Sequence, residues 1–93
     1  MYKRHEIKCL SDYFEQVWHG MKGFELCEND RDYCVGDIVE LHEIDANENY
    51  TDRVVTVVIT YVLKDCPQYG LQDGFCIFGW NPAMCERITH GNR

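Results

Sequence analysis

Ninety-three residues with 9 Lys+Arg against 16 Asp+Glu carry a formal net charge of −7, and that length supports one modest hydrophobic core but not two. A chain 45% hydrophobic and 13% aromatic has the composition of a folded domain and not of a disordered one. The acidic balance excludes tight, non-specific binding to nucleic acid over the whole surface, since that affinity comes from Lys and Arg neutralising phosphates. A local basic pocket stays compatible with it, as does an acidic surface that engages a basic partner.

Met1-Tyr2-Lys3-Arg4-His5-Glu6 has no apolar targeting core, and the longest apolar run is broken by Thr56 and Thr60, so the expectation is a cytoplasmic protein without a membrane partner. In a reducing compartment Cys9, Cys27, Cys34, Cys66, Cys76 and Cys85 read as free thiols. Their spacing contains no Cys-x-x-Cys pair and fits no zinc pattern, so neither a metal nor a cofactor is expected.

The residues from His5 to Leu10 read as a strand. Ser11 is placed to cap a helix whose apolar residues Phe14, Val17, Trp18 and Met21 follow the i, i+3, i+4, i+7 spacing of one buried face. Gly20 suits the left-handed conformation that ends a helix, and Lys22 complements the negative end of the helix dipole. A second strand follows from Phe24 to Glu28, with Phe24 and Leu26 on one face and Gly23, Glu25 and Cys27 on the other. Asn29-Asp30-Arg31-Asp32 is a polar turn whose Asn and Asp side chains can bond the local backbone, and Gly36-Asp37 is another.

A third strand is predicted from Asp37 to Ile44, then a loop over residues 45–49. Between Arg53 and Leu63 the residues Val55, Val57, Ile59, Tyr61 and Leu63 alternate with their neighbours, predicting a long strand with one apolar face that crosses the core. After a loop containing Pro67 and Gly70, the run from Gly74 to Trp80 predicts a closing strand. Residues 81–93 are polar apart from a few apolar positions such as Met84 and Ile88, which leaves a short helix or an irregular tail open. One helix among several strands is an α+β pattern within a single domain, 1–93, of which 80–93 is a C-terminal extension.

His5-Glu6-Ile7-Lys8-Cys9, a helix, Gly20-x-Lys22-x-Phe24-Glu25, Asn29-Asp30-Arg31-Asp32-Tyr33 and Val35-Gly36-Asp37-Ile38 together resemble the small phage and bacterial ASCH domains of the PUA-like superfamily. The resemblance runs from roughly His5 to Gly79. It implies a small open β-barrel of about five to six strands with one main α-helix packed at one end. It also implies a cleft between helix, loop and barrel that holds a nucleotide or nucleic acid. Some ASCH relatives resemble hydrolases that remove an acyl group from a modified cytidine with a Lys, a Thr and a Glu. This chain keeps Lys22, but Glu25 stands at the threonine position and Cys27 at the following basic one. A carboxylate is a poor replacement for an activated hydroxyl, so that hydrolase activity is not expected.

On that resemblance the candidate ligand-binding residues are Lys22, Glu25, Asn29, Arg31 and Tyr33. Lys22 can bind a phosphate or polarise a carbonyl, or simply form a surface ion pair with Glu25 worth about 0 to 1 kcal/mol. Arg31 can grip a phosphate with its planar fork, or be held by Asp30, Asp32 or Glu25. Tyr33, Tyr50, Tyr69 and Trp80 lie near predicted loops, where rings can stack bases or serve as ordinary packing. Two functions follow: an RNA- or nucleotide-binding module, or a phage anti-defence (anti-CRISPR-like) protein. The second would block a host nucleic-acid-guided complex through Asp45, Glu48, Asp52 and Asp73.

Overall fold

The computed structural model describes residues 2–90, and the element around which they assemble is a single long strand, β4 (Tyr50–Lys64). Its Val- and Thr-rich sequence suits a pleated, half-buried surface. It pairs antiparallel with three strands: β3 (Ile38–Ile44), β5 (Phe75–Trp80) and β6 (Glu86–Thr89). The edges are β1 (Arg4–Leu10), parallel to β3, and β2 (Phe24–Glu28), antiparallel to β5, giving the order β1-β3-β4-β5-β2 with β6 branching from β4. One helix, α1 (Ser11–Trp18), packs against β1 and β3. This is an α+β fold on a mixed six-stranded sheet that does not close, since β1 and β2 do not pair with each other.

Burial along β4 departs from simple alternation for a defined reason. Val55, Val57 and Ile59 are buried, but Tyr61 and Leu63 face outward, and Val62 takes the inward position. The register with β5 shifts between Ile59 and Tyr61. Thr60 is therefore an inserted residue, and a one-residue bulge exchanges the two faces of everything beyond it. The apolar face expected from Val55 to Leu63 is thus split between the two sides of the sheet. Phe24, Leu26 and Tyr61 stay exposed on the outer side.

Helix α1 stops at Trp18, so Met21, expected on its buried face, is instead 79% exposed. Phe14 and Val17 supply the buried stripe. The N-cap is Leu10 without a side-chain bond, and the Ser11 hydroxyl donates 3.0 Å to the Ile44 carbonyl rather than capping the helix. At the other end Gly20 adopts φ +76°, and the Lys22 amide donates 3.1 Å back to the Gln16 carbonyl. The Schellman pair at this left-handed glycine is the Gly20 amide on the Val17 carbonyl at 3.0 Å and the Met21 amide on the Gln16 carbonyl at 2.9 Å, and the Lys22 amide shares that Gln16 carbonyl, which pins its backbone to the helix end.

The extension is part of the sheet. After a 3-10 turn over Pro82–Met84, β6 adds to β4 with Ile88 opposite Val54, where the sequence pattern offered a helix or an irregular tail. Residues 91–93 of that tail lie outside the described residues. Behind β4, Phe14, Val17, Val39, Leu41, Val55, Val57, Cys76 and Phe78 form the core. The Tyr33 ring is packed between His5 at 4.7 Å and Phe78 at 4.8 Å.

Two buried polar groups tie the loops to this core. Asp37 accepts from His5 at 2.9 Å, from the Lys3 amide at 3.0 Å and from the Cys34 amide at 3.1 Å. Burial favours the neutral acid, but these hydrogen bonds outweigh it and hold the carboxyl below its ordinary range. Glu43 is likewise buried and is gripped by Arg53, whose guanidinium packs over the rings of Phe14 and Trp18.

Candidate functional site

The unpaired edges of β1 and β2 face each other across a cleft of about 340 Å³ lined by Ile7, Lys8, Glu25, Leu26, Cys27, Glu28, Asp30, Arg31 and Tyr33. A second hollow, of about 410 Å³, adjoins it through Glu25 and Leu26 and is completed by Tyr13, Lys22 and Phe24. The helix exit sets Lys22 in this second hollow. Its ammonium lies 2.9 Å from Glu25 Oε1, 5.0 Å from the centre of the Tyr13 ring and 5.4 Å from that of Phe24. The two charged side chains are only 18% and 15% exposed, so this is a recessed pair and not the solvated one that sequence spacing allows. Glu25 points inward because β2 turns Glu25 and Cys27 toward the sheet interior, and the Cys9 thiol also donates to it at 3.8 Å.

Arg31 crosses the cleft. One guanidinium nitrogen donates 2.5 Å to the carbonyl of Glu6 on β1, instead of pairing with Asp30, Asp32 or Glu25. A strand edge leaves backbone groups without ladder partners, and this side chain satisfies one of them. Lys3 steadies the turn by donating to the carbonyls of Arg31 and Asp32. Asn29 has a backbone role, accepting 3.2 Å from the Tyr33 amide. Tyr33 is 3% exposed, so its ring forms the floor of the cleft and is not a free stacking platform. Trp80 is also buried. Of the five ligand-binding candidates, Lys22, Glu25 and Arg31 come together along adjoining hollows, while Asn29 and Tyr33 support them from behind.

Residues 4–80 match the family described as Domain of unknown function (DUF3850). The chain belongs to this family. No curated protein matches it. The match spans β1 through β5, so it includes both edges of the cleft, while β6 lies beyond it.

Two further hollows of this DUF3850 domain open on the outer side of β1 and β3. The first, of about 340 Å³, is lined by Glu6, Ile7, Lys8, Arg31, His42 and Tyr50, and the second continues past Tyr50 to Asp52, Arg53, Val54 and His90. The sequence pattern marked Tyr50 as a possible stacking ring but gave no reason to join it to Lys8 or His42. The missing signal is the parallel register, which sets Lys8 opposite His42. Glu6, Glu40 and His42 each place a donor atom within 4.8 Å of the others. Glu40 is already held by Arg4 and hydrogen-bonded to His42, so its carboxylate is engaged within the protein.

The acidic residues assigned to a partner surface are divided by the fold. Asp45, Glu48 and Asp52 surround the β3–β4 turn, whereas Asp73 lies between β4 and β5, past the far end of the long strand. Asp45 is also committed locally, accepting from the amides of Asn47 and Asn49. All six thiols of the DUF3850 domain are free. Burial, reinforced by the Glu25 charge, pushes Cys9 up to about 12, and burial beside Cys76 does the same to Cys27. Neither thiol is therefore ionised for nucleophilic attack at neutral pH.

Proposed function

We propose that this DUF3850 domain is an ASCH-like module of the PUA-like superfamily that binds RNA or a nucleotide in the cleft between the helix exit, the 29–32 turn and the sheet, and that it works in the cytoplasm. The observation that carries the reading is the recessed Lys22–Glu25 pair in a hollow bordered by Tyr13 and Phe24, with Arg31 in the adjoining cleft. A carboxylate that accepts beside an ammonium that donates is complementary to the edge of a base, where N–H and carbonyl groups alternate. Aromatic walls suit its faces. The Arg31 guanidinium has five N–H donors and spends one nitrogen on Glu6, leaving a fork for a phosphate.

The unclosed sheet with one helix packed on it supports the open-barrel reading, and the motif from Gly20 to Ile38 supports the ASCH assignment. Binding without hydrolysis is favoured by Glu25 at the position where the acyl-cytidine hydrolases carry threonine. The high pKa of the Cys27 thiol removes the obvious substitute nucleophile.

The test is fluorescence anisotropy of labelled short RNA and of nucleotides at low salt. The wild-type protein is expected to bind with an affinity that falls as salt rises, by about 0.7 log units per log of salt for each single-strand phosphate neutralised. Combined Lys22→Ala and Arg31→Ala substitutions are expected to abolish it. No binding at low salt would end the proposal.

A second reading, a phage anti-defence protein that inhibits a host nucleic-acid-guided complex, is favoured by Asp45, Glu48 and Asp52 falling at or beside the β3–β4 turn in a chain of net charge −7. Its test is recovery of one such complex on the immobilised protein, with release on charge reversal at Glu48 and Asp52.

A further inference from the structure

We propose that the hollow beside Tyr50 is a second nucleotide subsite, so that the ligand is a single strand of at least two nucleotides running from the Lys22–Glu25 hollow, over Arg31, to Tyr50. This rests on the reading of the Lys22 hollow as a base site and extends it to the outer side of β1.

Arg31 is the reason for joining the two. It lines both the cleft between β1 and β2 and the outer hollow that contains Lys8, His42 and Tyr50. Its bond to the Glu6 carbonyl holds the guanidinium on the rim of β1 that separates them. A cation fixed on a ridge between two hollows matches a phosphodiester between two nucleosides. A mononucleotide would use only one side of it.

Tyr50 has the features of a stacking platform. It is 59% exposed, in contrast to Tyr33 and Trp80, and it stands at the start of β4. The His42 ring lies 6.0 Å away, edge-on, and steadies it from the side. The Lys8 ammonium sits 5.9 Å from the ring centre on a flexible stem; it can move aside for a base and pair with the phosphate that follows. Stacking tolerates any base, because each presents a π-face.

Glu40 is paired with Arg4 and hydrogen-bonded to His42, and Arg53 is committed to Glu43 and Glu15. Glu6 shares the hollow with Lys8 and Arg31, and its carboxylate lies near Glu40 and His42, where an amino group of a base can donate to it. Such a site discriminates single strands from duplex, since bases paired in a helix cannot reach the ring.

The experiment measures binding of the four ribonucleoside 5′-monophosphates and of a mixed-sequence, fluorescein-labelled RNA hexamer. The hexamer is expected to bind at least about ten-fold tighter than any monophosphate, as one added stacked base and its phosphate imply. Tyr50→Ala is expected to weaken the hexamer by about ten-fold or more, a larger factor than for any monophosphate, and Tyr50→Phe to retain the wild-type hexamer affinity. Circular dichroism and thermal unfolding of Tyr50→Ala verify that the fold is intact. Hexamer affinity unaltered by Tyr50→Ala, or a hexamer no tighter than a monophosphate, would overturn the subsite while leaving the Lys22 site in place. If Lys22→Ala and Arg31→Ala change nothing while Tyr50→Ala weakens the hexamer, the Lys22 base site fails instead, and with it the two-site path.

Discussion

Arg53 of β4 grips Glu43 of β3 with two nitrogens, Nε at 2.8 Å and Nη2 at 2.9 Å, where the helix meets the sheet. Nη2 also reaches Glu15 of α1 at 2.7 Å, and the Thr51 hydroxyl donates to the same Glu43 carboxylate. The hydrogen bonds from Arg53 lead in holding the Glu43 carboxyl down to about 2, against its ordinary 4.5, with burial opposing them. A carboxyl depressed in the folded state adds stability that is fully present above about pH 4.5 and is lost as pH falls toward 2. The expected loss over that window is about 3 kcal/mol, read from urea unfolding at a series of pH values. Glu43→Gln is expected to flatten the profile there, and an unchanged profile would contradict the role given to this pair.

Removing only the cation is the harsher change. Arg53→Met leaves the buried Glu43 charge without its main partner, with an expected cost of about 3–5 kcal/mol at neutral pH. Since Arg53 also covers Phe14 and Trp18, adding Glu43→Gln is expected to recover only part of it. Full additivity of the two substitutions in the unfolding free energy would show that they do not interact.

Thiol chemistry offers an independent check on the cleft. Cys34 is exposed, while Cys9 and Cys27 are held up to about 12 by burial. At pH 8 only about one in ten thousand of the latter two is ionised. A disulfide reagent is therefore expected to modify Cys34 in a fast phase, Cys27 slowly because its thiol stays protonated, and buried Cys9 only at the rate at which the protein opens. Cys34→Ser should remove the fast phase. Rapid labelling of Cys27 in that variant would revive it as a nucleophile.

The packing of the extension on β2 is testable at Gly23. A Cβ there would lie 2.9 Å from Cγ of Pro82 and 3.3 Å from the Trp80 carbonyl oxygen. Gly23→Ala is expected to cost about 1–3 kcal/mol through overpacking, and Pro82→Ala in the same chain to relieve part of it. Equal loss in both backgrounds would place Pro82 away from β2.

Local patterns made much of this molecule legible. The runs of strand-forming residues announced β1 to β5, and alternation marked β2 and the first half of β4, because a half-buried strand must alternate whatever its partner. Gly20 announced the helix exit and hence the place of Lys22, since a left-handed residue there needs no tertiary contact to favour glycine. The approximate neighbourhood of Lys22 and Glu25 was also readable, being three residues apart on a predictable exit and strand.

Register decided the rest. Whether Tyr61 and Leu63 are core or surface depends on the Thr60 bulge, and a bulge is a mismatch between two strands that neither contains alone. The β6 strand needed the waiting edge of β4. Tyr33, Tyr50, Tyr69 and Trp80 are alike as aromatic residues near loops, yet packing buries Tyr33 and Trp80 and leaves Tyr50 and Tyr69 open. In the same way, the partner of Arg31 turned out to be a backbone carbonyl on β1, which no list of charged side chains contains. Sequence determined the kinds of element and the charges available; only the folding of distant strands onto one another decided which charges meet, because burial and pairing are properties of contacts between segments and not of any one segment.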